Sequence, residues 1–309
     1  MSLARTALLR ISDSRWMREH GVKAPFVRRA VAVFMPGETA EDMLAAATTQ
    51  ATDGVGAVFT RLGENVRDLD EAQQVTDHYL AVVDQVQARG LACEPSVKLT
   101  QLGLDVDADR AFANALAIGR RADQAGNYFW VDMEQSPYVD RTLDVVCRLR
   151  AEVPRIGVAL QAYLHRTAAD VEAMLAHGIG IRLVKGAYAE PPTMAFPKKA
   201  DVDAAYLTLA HRMLAPDARA GGSRAVFGTH DTAIIGAIER HGDSLGLAPT
   251  DYEIHMLYGI QRAEQRRLAR ERRNLRVLIA YGTYWFPWYM RRLAERPANV
   301  WFVAKSLFR

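Results

Sequence analysis

The amino-acid sequence predicts an α/β protein, a distorted (β/α)8 barrel of the TIM type with extra N-terminal helices. Three observations carry this. From residue 54 onward, eight short apolar, β-rich runs alternate with helix-length amphipathic stretches. No linker-like segment divides them. Polar residues stand where the runs end, which is where a parallel barrel gathers its chemistry. A doubly wound open sheet is the architectural alternative, and the lack of a G-x-G-x-x-G after the first run weighs against it. The chain has 309 residues, half of them hydrophobic, enough for a barrel folded as one unit. The domain reading is a helical arm over 1–53, packed on a barrel over 54–309.

The arm reads as three helices, over 3–20, 23–34 and 39–52. Pro36-Gly37 separates the last two, and Thr39 with Asp42 forms a capping box. The expected strands are 56–60, 91–97, 128–131, 156–160, 179–184, 225–228, 252–256 and 276–280. The expected helices between them are 70–89, 107–124, 137–152, 167–176, 201–215, 232–241 and 260–274. Gly90, Gly126 and Gly178 close three of these helices, and Gly282 breaks the last strand. Beyond it, Pro287 and Pro297 bracket a helix of about ten residues, roughly 15 Å long. Arg291 and Arg292 sit on it, and Glu295 is spaced to orient either guanidinium. Two forked cations on a short helix suit a small carboxylate; a solvated basic face is the plain alternative. Tyr284, Trp285, Phe286 and Trp288 crowd its entrance and favour a buried pocket wall.

Composition excludes several classes. Net charge is +3 with mixed signs, and the Arg-rich stretch 262–276 is the only basic concentration, so nucleic-acid binding is not expected. Cys93 and Cys147 lack metal spacing and read as reduced packing residues. The first twenty residues lack a signal-peptide core, and no apolar run approaches the ~20 residues of a membrane span. The expectation is a cytoplasmic protein whose membrane contact, if any, is peripheral, at the inner face of the plasma membrane. No Cys/His cluster or H-E-x-x-H suggests a metal, and no G-x-S-x-G suggests a hydrolase.

Reading the C-terminal strand ends gives Lys98, Asp132, Gln161, Arg182 with Lys185, Thr229-His230, Tyr258 and Tyr281. Most have a bland reading. Lys98 can be a loop lysine, Asp132 a helix cap or turn residue, Gln161 a barrel hydrogen-bonder, and His230 with Asp231 a core pair. His255, inside an apolar strand, reads as packing. Arg182 is harder to dismiss. It interrupts an apolar strand, and a buried guanidinium needs a partner, so an anion or a polar cofactor edge is expected there. Lys185-Gly186-Ala187 follows, a cation beside a glycine turn that suits a phosphate. The mouth thus reads as several cations (Lys98, Arg182, Lys185, Arg291, Arg292) with few acids, to be balanced by a substrate carboxylate and a phosphate-bearing cofactor.

At these residues the chain resembles the proline dehydrogenase family, flavin-dependent enzymes that oxidise L-proline. The resemblance runs from about Val31 to Phe302. It rests on FMPGE (34–38), RLGENV (61–66), SVKLTQLG (96–103), VDMEQS (131–136), LQAYL (160–164), IRLVKGAY (181–188), GTHD (228–231), HMLYGI (255–260) and YMRRLAERPAN (289–299), in this order. The resemblance implies a distorted (β/α)8 barrel with FAD at the strand C-termini. It implies that Lys98, Arg291 and Arg292 hold the substrate carboxylate, that Arg182 lies beside flavin N5, and that Asp132 serves the catalytic network near the amine. Met133, Gln161, Lys185, Gly186, Ala187, Thr229 and His230 are the implied FAD contacts, with Arg182 and Glu295 counted beside them. Tyr188, Leu257 and Tyr281 are the implied substrate-pocket residues. The implied product is 1-pyrroline-5-carboxylate, the implied electron acceptor a membrane quinone, and the next enzyme a separate 1-pyrroline-5-carboxylate dehydrogenase. The chain departs from the pattern at Leu278, where many relatives carry a tyrosine over the substrate ring, at Ala280 in place of proline, and at Asp231 in place of asparagine. Leu278 puts ring selectivity in doubt. The alternatives are a flavoprotein acting on another cyclic imino acid such as hydroxyproline, a flavin binder without activity, and a flavin-free lyase using Lys98 or Lys185 as a Schiff-base amine.

Overall fold

The computed structural model describes residues 31–286 and 288–290. The expected helix 3–20, most of 23–34, and the segment carrying Arg291, Arg292 and Glu295 lie outside these residues. All eight apolar runs are strands: β1 Gly56–Arg61, β2 Cys93–Val97, β3 Phe129–Val131, β4 Ile156–Gln161, β5 Gly180–Val184, β6 Ala225–Gly228, β7 Glu253–Leu257 and β8 Leu275–Tyr281. Each pairs in parallel with its sequence neighbour, and β8 pairs with β1 from Gly56↔Arg276 to Arg61↔Tyr281, closing the barrel. The described helices are α1 Ala40–Thr52, α2 Leu69–Ala88, α3 Ala108–Gln124, α4 Val139–Arg150, α5 Thr167–Ala176, α6 Lys199–Leu214, α7 Pro216–Ala220, α8 Thr232–Ser244 and α9 Arg262–Arg270.

The two-residue period of each strand separates two environments. On β8, Leu275, Val277, Ile279 and Tyr281 join the core between barrel and helices. Leu278 turns inward and packs on Val58, Trp130 and Val226, the apolar plug of the barrel. The plug is wide for a small barrel, and glycines make room for it. A Cβ on Gly157 would lie 2.4 Å from the Trp130 ring.

The distortion lies at the β8–β1 seam. Helix α1 packs against both strands. The capping box holds: Thr39 accepts from the Asp42 amide, and the Asp42 carboxylate accepts from the Thr39 amide. Met43 and Leu44 are fully buried there. A helix that precedes β1 therefore fills the outer slot beside β8. The chain after β8 goes to the mouth instead, where Trp285, Phe286 and Trp288 pack with Phe34, Leu62 and Ala280. Trp285 Nε1 donates to Glu38 at 3.0 Å. The aromatic entrance is thus a buried wall, except that Tyr284 stays 42% exposed.

The Arg-rich helix is shorter than its periodicity suggests. It ends at Arg270, with Arg272 in a left-handed conformation at φ 53°, and Arg276 belongs to β8.

Candidate active site

Arg182 occupies the middle of β5 on an inward position and is 2% exposed. Its Nη2 donates to Ser96 Oγ at 2.8 Å and also to Asp132 Oδ1. Ser96 Oγ donates in turn to Asp132 Oδ1 at 2.9 Å, so the three groups close a triangle across β2, β3 and β5. The guanidinium lies over the Trp130 ring, 4.9 Å from its centroid. Burial pushes the Arg182 pKa down, and the Asp132 carboxylate opposes that shift. Nη1 of Arg182 is buried and has no protein partner. Asp132 is therefore an anchor for Arg182, and it caps no helix. Lys98, 8% exposed at the end of β2, brings its Nζ to 3.9 Å from Asp132 Oδ2.

Around this centre stand the acids that the sequence reading undercounted. Glu134 holds the backbone and hydroxyl of Thr100, and its own carbonyl accepts Gln161 Nε2 at 2.8 Å. Lys185 reaches Asp203 at 2.5 Å and Asp231 at 2.9 Å, so its charge is already balanced by the protein. Burial opposes ionisation of Asp231, yet its hydrogen bond from Lys185 brings its pKa down to about 2. Gly186, at φ 114°, gives close approach to the Tyr163 ring, where a Cβ would lie 2.3 Å from a ring carbon. Thr229 Oγ1 accepts the Asp231 amide at 3.1 Å, and His230 Nε2 accepts the Leu257 amide at 3.3 Å.

The opposite, N-terminal end of the barrel is charged but closed. Glu94 accepts from Trp130 Nε1 at 2.7 Å and Arg224 Nη1 at 2.8 Å. Glu253 accepts from Arg276 Nε at 2.9 Å, from Arg224, and from His255 Nε2 at 3.1 Å. Burial opposes the charge on Glu253, but His255 and the two guanidiniums hold its pKa well below the carboxylate range. Burial lowers His255 to about 4. His255 is thus a member of an ionic network, which its apolar strand did not suggest.

The proline dehydrogenase family model matches residues 43–305. The chain belongs to the proline dehydrogenase family. Proline dehydrogenase 1 of Bacillus subtilis (strain 168) is 33% identical over 287 residues, 93% of each chain. The proline dehydrogenase of Deinococcus radiodurans is 34% identical over 281 residues, 89% of each. Among solved structures, proline utilization A from Bdellovibrio bacteriovorus, inactivated by N-propargylglycine, superposes with a TM-score of 0.79 at 20% identity. The match covers 94% of this chain and 36% of that one, so the chain spans about a third of that relative and shares a barrel fold with it.

Of the residues that the family resemblance assigns, the structure brings together Lys98, Asp132, Gln161 and Arg182 at the mouth. Lys185, Gly186 and Ala187 follow β5 on the same rim, and Thr229, His230 and Leu257 stand at the ends of β6 and β7. Tyr188 lines a small cavity of about 30 Å³ with Tyr163 and Phe196. Two assigned side chains point elsewhere. Tyr281 is 1% exposed, faces the helix layer and bonds His78 Nε2 through its hydroxyl at 2.8 Å. It neither reaches the mouth nor substitutes for a tyrosine at 278, because odd residues of β8 face outward. Met133 likewise packs in the barrel–helix core. Arg291, Arg292 and Glu295 fall outside the described residues. Sequence reasoning passed over Ser96, Thr100, Glu134 and Asp203. Ser96 carried a signal, since it lies two residues before Lys98 and so faces the same way, and Asp203 stands four residues after Lys199 on α6 and pairs with it; Thr100 and Glu134 are fixed by tertiary contacts. Among the described residues, no helix is long and apolar enough to cross a membrane, and no group of three or more His, Cys, Asp or Glu is placed to hold a metal.

Proposed function

We propose that this chain oxidises L-proline to 1-pyrroline-5-carboxylate with FAD as its resident cofactor, and that the electrons pass to a quinone-type acceptor. Family membership supports the reaction. The observation that carries the cofactor reading is the unpartnered Nη1 of Arg182. A guanidinium pinned on one side and left incomplete on the other, inside a barrel mouth, fits the polar edge of a bound ring. Arg182 and Gln161 would hold that edge, with Gly186, Ala187, Thr229 and His230 along the rim. Lys185 fits a phosphate less readily, since Asp203 and Asp231 already occupy it.

When bound, FAD supplies a hydride acceptor and a relay of electrons. The chain's own contribution is positioning. Lys98 holds the substrate carboxylate, joined by Arg291 and Arg292, and so fixes which ring carbon faces the cofactor. Asp132 and Ser96 keep the guanidinium plane of Arg182 fixed, so its free nitrogen needs no reorganisation when charge develops beside it. The apolar plug of Val58, Trp130 and Leu278 closes the mouth from below and keeps water out. Leu278 favours a second reading of the substrate range, in which ring-substituted or larger cyclic imino acids are also accepted. A Schiff-base lyase built on Lys185 is less suited, because that amine is bound to two carboxylates; one built on Lys98, whose Nζ lies 3.9 Å from Asp132, is disfavoured by family membership. The product goes on to a separate 1-pyrroline-5-carboxylate dehydrogenase. The site of action is the cytoplasm, with peripheral contact at a quinone-bearing membrane.

The test is spectroscopic. Purified protein should be yellow or take up FAD, and anaerobic L-proline should bleach it. Colourless protein that binds no FAD overturns the cofactor reading; stable colour in the presence of proline overturns the substrate reading.

A further inference from the structure

We propose that Glu134 is a positioning residue of the reaction, tying the loops after β1, β2 and β3 and the end of β4 into one rigid rim that holds Lys98 and Gln161 in place. Glu134 lies two residues past Asp132 and is 4% exposed. Both its carboxylate oxygens are used by one residue. The Thr100 amide donates to Oε1 at 3.1 Å and the Thr100 hydroxyl to Oε2 at 2.6 Å. Thr100 passes the connection on. Its Oγ1 accepts the Asn65 amide at 3.2 Å and its carbonyl accepts the Val66 amide at 3.1 Å. Asn65 sits there in a left-handed backbone, φ 56°, which asparagine tolerates better than most residues. On the other side the Glu134 carbonyl fixes the Gln161 side chain.

Lys98 stands directly before the 3-10 turn Leu99–Leu102 that contains Thr100, and its own side chain makes no capping hydrogen bond to that turn. What fixes its orientation is the grip of Glu134 on the turn's second residue. An amide could not replace the carboxylate without loss. It offers one acceptor oxygen where Thr100 presents two donors, so either the Thr100 amide or its hydroxyl proton loses its acceptor. A buried carboxylate is costly, so its presence here, with a threonine as its close partner, points to the bidentate grip as its use.

The charge state follows the same geometry. Burial raises the Glu134 pKa to about 7, opposed by the Thr100 hydrogen bonds and by Lys98, and assisted by Glu64 from the loop after β1. Tyr138, further along its own loop, also feels its charge. Because the folded pKa lies above the ordinary value of 4.5, ionised Glu134 lowers overall stability as pH rises through 7. The grip on Thr100 strengthens over the same interval.

The inference rests on the reading of Lys98 as a carboxylate holder, and the experiment separates the two. Glu134→Gln and Thr100→Val are each assayed with L-proline, and amide exchange over 61–66 and 98–102 is measured on flavin-free protein. Each variant should raise KM roughly tenfold while kcat stays within about twofold. The double variant should be less than additive, because both singles remove the hydroxyl–carboxylate bond, while Thr100→Val alone also releases the Asn65 amide. Exchange in the two segments should quicken. In Glu134→Gln, the rise of kcat/KM near pH 7 should flatten, and the melting temperature above pH 7 should not fall below the parent's. A merely structural glutamate would lower the melting temperature and leave KM alone. An unchanged KM in both variants, with Lys98→Ala still raising it, overturns the proposal. An unchanged KM in Lys98→Ala overturns the reading of Lys98, and the positioning role falls with it.

Discussion

At the N-terminal end of the barrel, Glu94 and Glu253 share the guanidiniums of Arg224 and Arg276, and Trp130 and His255 take further oxygen sites. At the other end, Arg182 spends one nitrogen on Ser96 and Asp132 and directs another at no protein atom. Both sets are buried charges in the same barrel, separated by a single layer of apolar side chains. In the first, the carboxylates and guanidiniums are all paired within the protein, and only the neutral His255 ring leaves a nitrogen, Nδ1, without a partner. The second leaves Nη1 of Arg182 without a protein partner. Completion within the fold, more than burial, separates a structural charge cluster from a site.

Breaking the closed network should produce the largest effect on stability. Glu253→Ala leaves Arg224 and Arg276 to share Glu94 alone and takes the carboxylate partner from His255 Nε2, and a loss of about 3–5 kcal/mol is expected by chemical denaturation. A loss below ~1 kcal/mol would mean that the network is not what holds this end. Arg182→Met should invert the pattern. Proline oxidation should fall roughly 10²- to 10³-fold, as for the loss of a preorganised charge stabiliser. The stability loss should be smaller than for Glu253→Ala, because Asp132 keeps Ser96 and an 18% exposed side chain. Equal stability losses in the two variants would erase the distinction between the two ends.

The next effect is a slope. His255 stays neutral in the fold to about pH 4, whereas an ordinary imidazole takes up its proton near 6.5. Its contribution to stability is therefore present above 6.5 and is lost as pH falls toward 4. His255→Gln should flatten the urea-midpoint profile over that window; an unchanged slope would show that His255 does not govern it. The smallest effect is in selectivity. Leu278→Tyr adds a ring above the plug and should favour L-proline over trans-4-hydroxy-L-proline and L-pipecolate by roughly fivefold to tenfold. Unchanged ratios among the three would return Leu278 to the plug alone.

The eight strands were legible because parallel barrel strands are buried on both faces and read as apolar runs. For the same reason the polar interruptions stood out, and Arg182 was found as a charge with no local excuse. Three kinds of feature stayed hidden. The first was strand parity at Tyr281: a strand-end tyrosine looks like a pocket residue until the two-residue period is counted from Leu278. The second was the extent of α9, bounded by left-handed residues at Gln261 before it and Arg272 after it, where no glycine announces them. The third was Glu134, whose partners are a backbone amide, a threonine hydroxyl and a glutamine, none of which forms a recognisable pattern in sequence.

The seam has a consequence for the order in which the chain assembles. β1 finds β2 close behind it, but its other edge is satisfied only by β8, as in the pairing of Ala57 with Val277. During synthesis that edge must wait for almost the whole barrel to emerge. An unpaired parallel strand with a buried apolar centre, Ala57-Val58-Phe59, is a template for wrong partners. Helix α1 precedes β1 in the chain and lies across the outside of the same seam. It is made first and can cover the apolar face of β1 while the edge is open. On this view the helix serves as an internal chaperone for a late closure, and variants that weaken its capping box at Thr39 or Asp42 should aggregate on refolding more than their equilibrium stability would suggest.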